Sequence, residues 1–415
     1  MKSKSLALTA VLLVVLVGFW QSRKQNLFHH LEYTSASSQW SSEHTLSHKA
    51  FKHKAIRPTG AACDPFREDG YLLHYPDNRT QSWIPHRKAC PPAPDWVALL
   101  ARADPPINEA WTQEVAAVKY QEWQRNAQAQ EAYAKVSWLA NRTIFVMGDS
   151  VDRNMLDHFA YFVYRPMMLA NYYSTSIKVQ DDPRMANISF HGTPRILHFH
   201  KLNLTIITAF FYGSDDTGFH ASAYDVHPPL VYEERAEKLL KPFIDLYTDN
   251  RGPDLIRLHT GMWDLVAMPW QSYGFVDKAS NETNLPMLPD DLSHYKKRVA
   301  SVFAKTKELW PNVPVWVRIL HRVGTAPPHQ RDDKRSHAII SVTRYLAKRA
   351  GLPFFDYGHI LRGYSLGEIH PLEFPGSYLL CQSLLHHAYL EFGPQLSHET
   401  SPSNRWEILA DTSHL

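Results

Sequence analysis

The chain has 415 residues, with 44 Lys and Arg against 41 Asp and Glu and a formal net charge of +3. That near balance gives no electrostatic case for a nucleic-acid binder, which usually shows a concentrated basic face. A composition 44% hydrophobic and 20% charged is globular rather than disordered or multi-span, and three cysteines are too few for a disulfide-built scaffold or a four-thiolate zinc site.

Residues Leu6 to Trp20 form an apolar run without charge, flanked by Lys2 and Lys4 before and by Arg23 and Lys24 after. Ser5, Gln21 and Ser22 extend it towards the roughly 20 residues that cross a bilayer. No small-x-small pair follows the run, so an uncleaved signal anchor is expected over residues 1–24, with the N-terminus cytosolic. Residues 25–60 are rich in Ser and His and lack apolar periodicity, which reads as a solvated stem. Lumenal exposure is expected from five Asn-x-Ser/Thr sequons, at Asn78, Asn141, Asn187, Asn203 and Asn281, where chance supplies about two. Cys63 and Cys90 lie 27 residues apart in a Pro-rich, strand-poor segment, where a disulfide would stabilise by about 3 kcal/mol. Cys381 falls in an apolar helical run and reads as a buried free thiol. The expected site is a Golgi or other secretory-pathway membrane, crossed once in type II orientation.

The folded part is expected over residues 61–395, with a tail at 396–415. Trp111, Val115, Val118 and Trp123 have helical spacing and predict one long helix over 108–139. Apolar runs at 143–147, 204–211, 254–258, 313–320 and 353–356 then alternate with helical patterns at 152–163, 232–248, 290–309 and 335–350, and a last helix is expected at 376–391. Residues 265–290 read as a long surface loop. Alternation of this kind predicts a three-layer α/β/α fold with a central, mostly parallel five-stranded sheet. In such sheets reactive groups gather beyond the C-terminal strand ends.

The first strand runs straight into Gly148-Asp149-Ser150, and a helical pattern follows at once. A serine at that turn exposes its hydroxyl near the positive end of a helix, though the same serine can serve merely as a helix cap. His370 sits in a glycine-rich loop, Gly363 to Gly376, between the last strand and the last helix. There it would face Ser150 across the rim of the sheet, whereas His359, His386 and His387 have surface or core roles by default. His198 and His200 share one face of a strand but lack a third ligand at metal spacing, and Asp215-Asp216 reads as a polar turn. No phosphate loop or dinucleotide fingerprint is present.

The stretch GDSVDRNML resembles the first block of the GDSL/SGNH esterases, and more closely that of the PC-esterase branch, which includes the trichome birefringence-like polysaccharide O-acetyltransferases. Those proteins carry Arg-Asn two residues after the Gly-Asp-Ser, here Arg153-Asn154. His259-Thr260-Gly261-Met262-Trp263 stands where they have Asn-Thr-Gly-x-Trp, and Val317-Arg318 is similar to their aromatic-Arg-Thr strand. The segment with Cys63, Trp83-Ile84-Pro85 and Cys90 is similar to the entry region of the plant members. The last block, Asp-x-x-His, would fall on Gly367 to His370, so Glu368, one place late, is the candidate acid.

The resemblance implies a serine-dependent enzyme that moves acyl groups, most often acetyl, on sugar hydroxyls. It implies Ser150 as nucleophile, His370 as base, Glu368 as its orienting partner, and Gly213 as an oxyanion donor, with His259 contributing. Arg153, Asn154 and Trp263 are the implied substrate contacts, and Trp270 and Tyr273 could also stack on a sugar. No bound cofactor or metal is expected, only an acyl donor as co-substrate. The expected partners are a carbohydrate and, through the N-terminal span, a membrane. A carbohydrate or lipid esterase of the same fold and a non-catalytic glycan-binding relative remain alternatives.

Overall fold

The computed structural model describes residues 63–74, 81–104, 113–170, 172, 177–180, 192–214, 216, 229–267, 287–321, 333–360 and 370–394. The expected anchor, stem and C-terminal tail lie outside the described residues. No described helix is long and apolar enough to cross a membrane.

The chain enters through a hairpin, β1 (Gly70–His74) and β2 (Gln81–Pro85), within the segment that read as strand-poor in the sequence. Its side chains alternate between buried and half-buried along β2, the pattern of a strand covered on one face. Helix α1 (Trp96–Ala103) is capped by Asp95, whose carboxylate accepts the Ala98 N–H at 3.0 Å. The long helix expected over 108–139 is two, α2 (Gln113–Arg125) and α3 (Ala127–Val136). Asn126 breaks it: its backbone is extended, and its side chain caps α3 by accepting the Ala129 N–H at 3.1 Å. Val115 and Val118 are exposed, so the apolar stripe read there is not a core face, although Trp123 is buried.

β3 (Thr143–Gly148) is buried at every position, as a central strand covered on both faces requires. It feeds α4 (Ser150–Phe162). The connection from α4 carries three strands beyond the five apolar runs: β4 (Met167–Ala170), β5 (Ile177–Gln180) and β6 (Arg195–Phe199), which holds the His198 expected on a strand. Then come β7 (Leu204–Phe210), α5 (Tyr232–Arg235) continuing through a π turn into α6 (Lys241–Tyr247), and β8 (Leu255–His259). The chain continues with α7 (Met262–Ala267), α8 (Pro289–Leu309), β9 (Val315–Arg318), α9 (Asp333–Arg349), β10 (Phe354–Phe355), α10 (Tyr357–Ile360) and α11 (Tyr378–Phe392).

The strands form one eight-stranded sheet in the order β10-β9-β8-β3-β7-β6-β4-β5. The five from β10 to β7 are parallel, matching the five apolar runs of the sequence, and β6, β4 and β5 extend the sheet antiparallel. One set of mutually packed helices is α1, α4 and α11; in the other, α8 packs against both α5 and α9. Together with the sheet they make three layers. Chain order along the parallel strands reverses on either side of β3, which continues first to β7 on one flank and afterwards to β8 on the other. A crevice therefore opens beyond the C-terminal end of β3, where Ser150 lies.

Candidate active site

Parallel pairing aligns the strand ends. Gly148 is level with Phe210 of β7, and Met147 with Leu258 of β8. Asp149 is extended and caps α4, its carboxylate accepting the Val151 N–H at 2.9 Å. Ser150 is thus the first residue of the helix, among the N–H groups that have no partner within it. Its Oγ lies 2.7 Å from Nε2 of His370, 220 residues later in the chain. That is the distance of a full hydrogen bond, in the geometry by which an imidazole takes a proton from an attacking hydroxyl. Both side chains are half-buried. Glu368 and Gly367 lie outside the described residues.

Beneath the turn is a buried charge network. Arg318 of β9 donates twice to Asp152, at 2.9 and 2.7 Å, and its Nη2 is 3.8 Å from Asp149. On β8, His259 places Nε2 3.0 Å from the other Asp149 oxygen, off the hydrogen-bonding line, and its Nδ1–H donates to the Arg318 carbonyl at 2.9 Å. Burial pushes the Asp149 carboxyl up, but His259, Arg318 and the Val151 N–H outweigh it and hold the group well below the usual carboxylate range. Burial likewise opposes the charge on Arg318, yet Asp152 and Asp149 raise its affinity for the proton above the ordinary value. Glycine is required at 148, because a Cβ there would lie 2.1 Å from an Asp152 oxygen.

This network corrects one expectation. His259 is 1% exposed and its two ring nitrogens face the Arg318 carbonyl and the Asp149 carboxylate, so no ring N–H is left over for an oxyanion. Arg153 and Asn154 are also less available than expected. Both are buried, and Arg153 donates from Nε and Nη2 to the Asn154 Oδ1 at 3.1 and 2.9 Å. Burial, with the nearby charge of Arg195, lowers the Arg153 guanidinium to about 10. The two side chains sit under the rim rather than on it.

Gly213 follows β7 at that rim with φ +82°. Asp264 of α7 fixes its loop: one oxygen accepts the Ser214 N–H and hydroxyl at 2.7 and 3.0 Å, and the other accepts the Thr260 hydroxyl at 2.6 Å. A Cβ on Gly213 would lie 2.7 Å from that carboxylate. Asp264 was not among the residues singled out in the sequence, although it directly follows Trp263. Trp263 is half-buried, edge-on to Phe210 and Tyr212 at 5.8 and 5.3 Å.

The remaining candidates disperse. Cys63 and Cys90 form a disulfide with Cα atoms 5.2 Å apart, and Cys381 is a buried free thiol. Asn141 and Asn203 are exposed before the first residues of β3 and β7, at the sheet end opposite Ser150, and the Asn203 amide donates to Asn141 at 3.0 Å. Asn78, Asn187, Asn281, Asp215, Trp270 and Tyr273 lie outside the described residues. His198 is on β6, 2.9 Å from the Thr205 hydroxyl, and His200 is in the following turn. Asp216 is within 3.6 Å of both Arg298 and His294. His387 stacks on Trp316 at 3.9 Å and His359 meets Asp69 at 2.8 Å. Asp149, Asp152 and His259 stand close enough to share an ion, but Arg318 already holds both carboxylates.

No family model and no curated protein matches the chain. Solved structures do. A GDSL-like lipase from Parabacteroides merdae is 15% identical with a TM-score of 0.34, covering 60% of this chain and 97% of its own. A lipase/acylhydrolase from Enterococcus faecalis is 12% identical with a TM-score of 0.33, covering 62% and 100%. An acetylxylan esterase from Geobacillus stearothermophilus is 10% identical with a TM-score of 0.30, covering 62% and 96%. At such identities and scores these likenesses carry no argument about the chemistry, which rests on the geometry above.

Proposed function

We propose that the chain is a membrane-anchored, serine-dependent acyltransferase of the secretory pathway, O-acetylating polysaccharide or glycan hydroxyls through an acyl-serine intermediate. The observation that carries this reading is the 2.7 Å approach of the Ser150 hydroxyl to His370 at the N-terminus of α4. His370 Nε2 takes the Ser150 proton as Oγ attacks the acyl carbonyl. The same proton passes to the leaving group of the donor as the tetrahedral adduct collapses. A sugar hydroxyl then gives its proton to His370 and attacks the acyl-serine, and His370 returns that proton to Oγ as the Ser150–acyl bond breaks. The oxyanion is held by the N–H groups of Ser150 and Gly213, the former reinforced by the positive end of α4. Arg318 and His259 act from below, holding Asp149 and Asp152 so that the turn keeps its shape. The apolar run at 6–20, the sequons and the Cys63–Cys90 disulfide support the compartment.

A hydrolase would use the same steps with water as the second nucleophile, and Ser150 and His370, both half-buried rather than sealed off, are open to it. An acetylated oligosaccharide donor, supplied with and without an acceptor glycan, separates the two. Acetyl appearing on the acceptor supports transfer; free acetate formed at the same rate with or without acceptor supports hydrolysis. If a fluorophosphonate labels Ser150 no more than it labels a Ser150→Ala variant, the chain is non-catalytic.

A further inference from the structure

His158 lies on α4, eight residues or about 12 Å beyond Ser150 along the helix, and was not singled out in the sequence. Its Nδ1 is 2.7 Å from the hydroxyl of Ser377, which is buried at the entry to α11. Ser377 reaches back to the residues that follow His370: its N–H donates to the Leu372 carbonyl at 3.0 Å, and its hydroxyl to the Pro371 carbonyl at 3.4 Å. We infer that His158 and Ser377 form a positioning clamp that fixes the His370–Leu372 turn, and thereby the catalytic imidazole, to the same helix that carries the nucleophile. The inference rests on the acyl-transfer reading and adds two residues to it.

The local chemistry suits a rigid turn. Proline at 371 confines His370 to extended backbone, leaving the Pro371 and Leu372 peptide groups as the main freedom to be removed. Those are the two carbonyls that Ser377 holds. Gly376 permits the close approach, since a Cβ there would lie 2.4 Å from the Pro371 ring. A hydroxyl has one proton and can also accept. With the Ser377 O–H on the Pro371 carbonyl, the His158 Nδ1–H completes the chain by donating to Oγ. Burial, with the neighbouring charge of His370, lowers His158 to about 4. The clamp is therefore neutral and adds no positive charge beside His370 when that ring becomes an imidazolium.

Inactivation by a fluorophosphonate, followed over a range of probe concentrations, separates reaction at Ser150 from probe binding. A misplacement of the base by about 1 Å costs on the order of 100-fold in rate. His158→Ala and Ser377→Ala are expected to slow the inactivation step about 10- to 100-fold with the binding constant unchanged. His158→Asn, whose amide replaces the Nδ1 group, is expected to restore most of that loss. The double Ala variant should be no slower than either single one, because both break one chain of bonds. Unchanged inactivation in folded Ser377→Ala, or a loss in His158→Ala that His158→Asn shares in full, overturns the clamp and leaves the Ser150–His370 pair standing. A wild-type chain that is not labelled at Ser150 overturns both.

Discussion

At the scale of single residues, the site is set by short distances and by what each group is denied. Ser150 was legible because the Gly148-Asp149-Ser150 turn follows an apolar run and precedes a helical pattern. His370 was legible from its loop, and the structure brings the two within 2.7 Å. His158 was not, because the chain holds 24 histidines and nothing local distinguishes this one; its meaning comes from Ser377, 219 positions away. His259 was misassigned for a related reason. A motif gives a residue's place at a strand end but not which way its nitrogens are engaged.

Two half-buried histidines also contribute a pH dependence. Burial, with the charge of His370, lowers His158 to about 4, and burial, with the charge of His200, lowers His198 to about 4. An unfolded histidine titrates near about 6.5. Between those values the unfolded chain binds more protons than the folded one, so stability falls as the pH is lowered through that window. Urea midpoints measured between neutral pH and pH about 5 should therefore decline, and less steeply in His158→Asn. An identical decline in that variant would contradict the lowered proton affinity of His158.

At the scale of elements, the parallel strands were legible because strands buried on both faces are continuous apolar runs. β4, β5 and β6 were harder: they are short, mostly four or five residues, and β4 has half-buried positions with no strict alternation. The break between α2 and α3 was hidden because asparagine is tolerated inside a helix as well as at its cap. The Arg318–Asp152 pair joins β9 to α4 and so couples two elements that flank the site. Arg318→Met leaves Asp152 as an uncompensated buried charge and should cost about 3–5 kcal/mol of unfolding free energy. Pairing it with Asp152→Leu should recover much of that loss, measured by urea denaturation. A single variant as stable as the wild type would show that the network does not support the Gly148–Ser150 turn.

At the scale of the whole molecule, the order of the parallel strands places the crevice at β3, and the Cys63–Cys90 disulfide ties the entry segment at the first described residues. A loop of 27 residues closed by that bond lowers the entropy of the unfolded chain, so its reduction should cost about 3 kcal/mol. Thermal melts with and without a thiol reductant measure that cost, and equal transitions would mean that the bridge does not stabilise the fold.

The central claim, that Ser150 and His370 work as nucleophile and base, is tested most directly by exposing the protein to an activated acetyl donor and mapping the product by peptide mass spectrometry. The account predicts one acetyl group on the Ser150 peptide of the wild type, none in Ser150→Ala, and formation slowed by orders of magnitude in His370→Ala. A wild-type Ser150 that remains unmodified, or acetylation at Ser150 that proceeds at the same rate without the His370 imidazole, would contradict it.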